Sequence, residues 1–100
     1  MSTNQGGTPP AGGERWIPSQ DVVAERTGDR VVLIHMQTNK IFELNSTGAR
    51  VWELLNEGEM EDGIVRRMSE EFDVEDERLR QEVRTLLRRL SDEKMVATDG

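Results

Sequence analysis

KIFELNSTGARVWELLNEG, residues 40–58, decides the fold, because a short strand at Lys40–Leu44 runs through Asn45-Ser46 straight into an amphipathic helix. Successive side chains of a strand point to opposite faces, so Phe42 and Leu44 share one side and Ile41 and Glu43 the other. The Phe42/Leu44 side is expected to face the core. In the helix, Val51, Trp52 and Leu55 line one side, with Leu54 close by. Asn45 or Ser46 can cap its first turn through a side-chain oxygen, about Thr47–Asn56 forms the helix, and Gly58 supplies the left-handed exit residue.

Working outward, Asp21–Arg26 and Arg30–Met36 read as two further strands. Thr27-Gly28-Asp29 separates them, and Gln37-Thr38-Asn39 separates the second from Lys40. Connections this short allow only an antiparallel meander. The middle strand carries apolar residues on both faces, as a central strand does. On the other side of the junction, Ile64, Val65, Met68 and Phe72 fall at helical spacing within about Met60–Phe72. A third helix runs from near Glu75 to about Glu93, with Leu79, Val83, Leu86, Leu87 and Leu90 as its stripe. The expected fold is α+β, a three-stranded antiparallel sheet followed by a three-helix bundle, like a winged helix-turn-helix with its strands placed first. Residues 1–15, rich in Gly, Pro, Ser and Thr and without apolar periodicity, are expected to form a disordered tail before a domain over 16–97. Trp16-Ile17-Pro18 is the first segment with enough apolar area to dock on that domain.

One hundred residues with 34% hydrophobic and 4% aromatic content suffice for one small core. The formal charge of −7 disfavours nucleic acid as partner, since binding a phosphate backbone relies on clustered Lys and Arg. The absence of cysteine excludes disulfides and thiolate metal sites. No apolar run approaches the roughly 20 residues that span a bilayer, and no signal pattern opens the chain, so a cytoplasmic location without membrane contact is expected. His35 is the lone histidine, in an apolar strand, and is expected to be structural. Glu57, Glu59, Glu61 and Asp62 crowd a helix connection, where nothing raises a carboxyl pKa for acid catalysis. No catalytic residue, metal site or cofactor is expected.

The junction Leu44-Asn45, then Gly48, a small residue and Val51-Trp52, resembles the signature of the PqqD-like family. The order of elements fits over roughly residues 21–97. The resemblance implies a precursor-peptide recognition element, which binds the leader segment of a ribosomally made precursor and presents it to a maturation enzyme. The Pro-rich strand segment of the protein serving pyrroloquinoline quinone synthesis is missing, so the chain reads as a standalone relative serving another peptide pathway. In that family the leader adds to the edge of the third predicted strand and lies against the third helix. This places Lys40, Ile41, Phe42, Glu43 and Leu44 beside the peptide.

At about 100° per residue, the stripe of the third helix centres between Val83 and Leu87, and Arg80, Arg84 and Arg88 form a ridge flanking the Leu87 side. A groove floored by Val83 and Leu87 with guanidinium groups at its lip would accept an extended leader bearing apolar anchors and an Asp or Glu. The same arginines also fit a solvated face, since residues 75–94 hold six acidic and six basic side chains. The implied partners are a precursor leader peptide and a maturation enzyme, such as a radical SAM protein or a leader peptidase. Two other readings stand beside this one: a winged-helix DNA-binding regulator, and an adaptor or homodimerisation domain using the Leu-rich helix.

Overall fold

The computed structural model describes residues 15–98; the tail expected over 1–15 lies outside the described residues except for Arg15. The elements are β1 (Trp16–Pro18), β2 (Val22–Thr27), β3 (Arg30–His35), β4 (Ile41–Leu44), α1 (Ser46–Asn56), α2 (Glu61–Glu71), α3 (Asp76–Asp92) and β5 (Val96–Thr98). The meander and the three helices stand where the sequence predicts them, within a residue or two at each end.

Gly28, at φ 64°, opens the turn between β2 and β3 in a conformation that a side chain disfavours. The sheet order is β2-β3-β4, with both pairs antiparallel. At the second turn the His35 amide donates to Lys40 O at 2.9 Å, and His35, 5% exposed, accepts from the Gln37 and Thr38 amides through Nδ1. The lone histidine thus shapes a turn, as expected of a structural residue. Asn45 settles the choice of cap, its side chain accepting from the Gly48 amide at 2.9 Å. A Cβ on Gly48 would meet the Leu44 side chain at 3.2 Å, so this glycine lets α1 start close against the end of β4. Gly58, at φ 91°, ends the helix with its amide donating to Leu55 O.

The inward side of the sheet and the stripes of all three helices share one core, in which Leu33, Leu54, Ile64, Met68, Leu87 and Leu90 are fully buried. Val83 and Leu79 are each 1% exposed, so of the leucine-rich stripe of α3 all but the half-buried Leu86 is consumed internally. Among the described residues the large apolar side chains left exposed are Ile17, Val23, Met36, Ile41 and Val74, none of them on α3.

The sequence did not reveal a second sheet. Trp16–Pro18 docks as expected, but as a strand paired antiparallel with Val96–Thr98, and Ser19 N donates to Met95 O at 2.9 Å. Three residues are too few to display alternation, and the partner lies at the opposite end of the chain. Trp16 packs against the core, with its indole N–H buried and without an acceptor among the described residues.

Candidate functional site

β4 is an edge of the three-stranded sheet, bonded to β3 on one side only. Its free groups follow from register. The bond from His35 to Lys40 makes these two a hydrogen-bonded pair, and such pairs recur at every second position of an antiparallel ladder. Phe42, opposite Leu33, and Leu44, opposite Val31, therefore spend their N–H and C=O on β3. Ile41 and Glu43 point theirs away, toward open solvent. An edge of this kind is a template for another extended chain.

Beside this edge runs a cleft of about 350 Å³. Phe42, Glu43, Leu44, Thr47 and Gly48 line one wall, Glu82, Leu86 and Arg89 of α3 line the other, and Arg30 stands at its margin. A shallower groove along α3 shares Glu82, Leu86 and Arg89 with it. The Arg89 guanidinium lies 5.2 Å from the centre of the Phe42 ring, a cation–π contact across the cleft. Lys40 Nζ stands 3.9 Å from Glu93 and ties the head of β4 to the end of α3. Neither Arg30 nor Arg89 has a carboxylate partner among the described residues, so both lining cations are available to a ligand.

The structure separates the predicted site residues into two groups. Lys40, Ile41, Phe42, Glu43 and Leu44 lie together along the β4 edge. The α3 members do not join them. Val83 and Leu87 are core residues, 1% and 0% exposed, and floor no groove. Arg80 and Arg84 face α2 instead of β4: Arg80 bonds Asp62, and Arg84 Nε donates to Glu61 Oε2 at 2.9 Å. Arg88 is exposed and outside the cleft lining. The predicted arginine ridge thus lies on the flank of α3 away from the β4 edge, and the α3 residues that line the cleft beside that edge are Glu82, Leu86 and Arg89.

The physical reason is that a buried helical stripe has two flanks, and periodicity alone does not say which one meets the sheet. Leu86 was the available signal. It is the apolar residue at the border opposite Arg80 and Arg84, and it remains half-exposed because the cleft beside it is open.

Arg80 and Arg84 tie α3 to α2. The Arg80 pKa is raised above its ordinary value, chiefly by the hydrogen bond to Asp62, against an opposing cost of burial. Glu61 is only 4% exposed in its side chain, while Arg84 is 56% exposed. Arg84→Glu would leave Glu61 buried beside a second carboxylate. It is expected to lower stability by about 1–3 kcal/mol, seen as a reduced urea midpoint with unchanged slope.

A larger hollow of about 750 Å³ opens between the β1–β5 ribbon and the β3–β4 turn, lined by Ile17, Asp21, His35, Thr38, Lys94 and Val96 among others. The smaller cleft differs from this hollow in lying between the free edge of the three-stranded sheet at β4 and the flank of α3. Among the described residues no group of His, Cys, Asp and Glu is arranged to hold a metal ion, and no helix is long and apolar enough to cross a membrane.

The family profile of coenzyme PQQ synthesis protein D (PqqD) matches residues 30–96. Among solved structures, TbiB1 in complex with the TbiA(beta) leader peptide is 32% identical, with a TM-score of 0.79 over 84% of this chain and 98% of that one. A lasso peptide synthetase B1 complexed with its leader peptide is 18% identical, with a TM-score of 0.76 over 83% of this chain and 98% of that one, and shows the shared fold. No curated protein gives a significant match.

Proposed function

The chain belongs to the PqqD family, and from that premise we propose that it is a non-catalytic leader-peptide-binding protein. It holds the leader of a ribosomally synthesised precursor as an added strand on β4, against α3. In doing so it presents the precursor to a maturation enzyme, such as a radical SAM protein or a leader peptidase, in the cytoplasm. The observation that carries this reading is the free backbone row of Ile41 and Glu43 beside the cleft walled by Leu86 and Arg89. Main-chain bonds supply affinity in strand addition, and neighbouring pockets supply sequence preference. The 32% identical neighbour is held in complex with a leader peptide, which supports the same use of this fold here.

The α3 contribution is carried by Glu82, Leu86 and Arg89 in place of the Arg80, Arg84 and Arg88 ridge. Leu86 and the Phe42 ring receive an apolar anchor, and Arg89 and Arg30 receive a leader carboxylate. Arg89→Ala is expected to weaken leader binding roughly tenfold, as loss of a charge-assisted hydrogen bond does, with no loss of fold. Isothermal titration with the precursor's leader checks it. Affinity unchanged in Arg89→Ala would remove Arg89 from the site.

A further inference from the structure

The outward face of the sheet carries its own pattern, of which the cleft lining includes only Glu43 and Arg30. In register, Val23, Ile34 and Ile41 form one cross-strand row, and Glu25, Val32 and Glu43 form the next. Both rows end in the open at β4. Ile41 is 69% exposed, and Glu43 has no cationic partner among the described residues. Glu25 stands two strands from Glu43, roughly 10 Å away at ordinary strand spacing, so a second carboxylate adds to the negative field along that row. Arg30, in the row beyond, stands opposite Thr27 in register and lines the margin of the cleft, where it serves a leader carboxylate and not the position in line with Glu43.

A strand added to β4 lengthens both rows by one residue. Its side chains opposite Ile41 and Glu43 must point outward, because alternation across the sheet is fixed by register. The chain opposite Phe42 points inward, to Leu86 and Arg89. Side chains directly opposite in neighbouring strands interact, favourably for apolar or opposite-charge pairs and unfavourably for like charges.

Resting on the leader-binding reading, we propose that this protein selects its peptide by these outward positions as well as by the cleft. The residue in line with Glu43 is Lys or Arg, and the residue in line with Ile41 is apolar. An antiparallel strand continues the meander and is slightly the more stable pairing. In that direction the leader reads, from N to C, a basic residue, an inward-pointing residue and an apolar residue. The substrate class is thus an extended peptide whose alternate positions serve two separate surfaces.

Selection from a displayed library of random ten-residue peptides tests this, using the full chain, Glu43→Lys and Glu43→Gln. Glu43 is exposed, so both variants are expected to fold, and circular dichroism checks that. The native chain is expected to enrich peptides with Lys or Arg two residues before an apolar residue, each pair improving affinity by about two- to fivefold. Glu43→Lys is expected to exchange the basic preference for Asp or Glu while keeping the apolar one, and Glu43→Gln to erase the charge preference. Enriched peptides that protect the Ile41 and Glu43 amides but show no charge preference, or one that Glu43→Lys does not reverse, would overturn the inference and leave leader binding standing. Failure to enrich any peptide that protects those amides would overturn both.

Discussion

Ile41→Pro is expected to weaken leader binding by about 2 kcal/mol or more, roughly thirtyfold, with the domain still folded. The main-chain N–H of Ile41 faces away from β3, so proline removes no bond of the native ladder. Ile41 is also the first residue of β4 and 69% exposed, which is where a strand tolerates proline. Bound leader has more to lose. One main-chain donor disappears, and the ring occupies the place where the facing carbonyl would lie, leaving that carbonyl without its partner. Phe42→Pro is the control with the opposite signature, because the Phe42 amide bonds β3 opposite Leu33. It should damage the sheet itself, lowering the urea midpoint before any ligand is added. Equal leader affinity in Ile41→Pro and the native chain would mean that the leader does not bond this edge.

Leu87→Ala is expected to lower stability by about 2–5 kcal/mol, a large part of the roughly 5–15 kcal/mol that holds a domain together. Leu87 is fully buried in the core shared by the sheet and the three helices, so truncation leaves a cavity with walls on several elements. Urea denaturation should show a lower midpoint at unchanged slope. Because Leu87 does not line the cleft, the folded fraction should still bind leader with near-native affinity. A loss below about 1 kcal/mol would mean that the site collapses around the missing methyl groups.

The parts of the fold governed by local rules were legible in the sequence. Gly28 between two apolar runs marks a hairpin, the Asn45 cap follows β4 directly, and α3 displays its stripe over four turns. The β1–β5 ribbon was not legible, since a three-residue strand carries no period and its pairing depends on how the whole domain closes. The site divides in the same way. The resemblance pointed to Lys40–Leu44 as the edge in question, and the observed His35–Lys40 bond then singles out Ile41 and Glu43 as the residues with free backbone groups. The α3 wall could not be assigned from the sequence, because Arg80 with Arg84 and Leu86 with Arg89 flank the same stripe on opposite sides, and only packing against α2 consumed one flank. Asp62 and Glu61 are the residues that consumed it. Charge pattern on a helix does not say whether its partner is a ligand or the neighbouring helix.

Backbone amide exchange, followed residue by residue with and without saturating leader peptide, tests the central claim most directly. In the free protein the Phe42 and Leu44 amides should already be protected by β3, while those of Ile41 and Glu43 exchange freely. Leader binding should protect Ile41 and Glu43 and leave the other two little changed. Ile41 and Glu43 amides that still exchange freely in the saturated complex would contradict strand addition at β4.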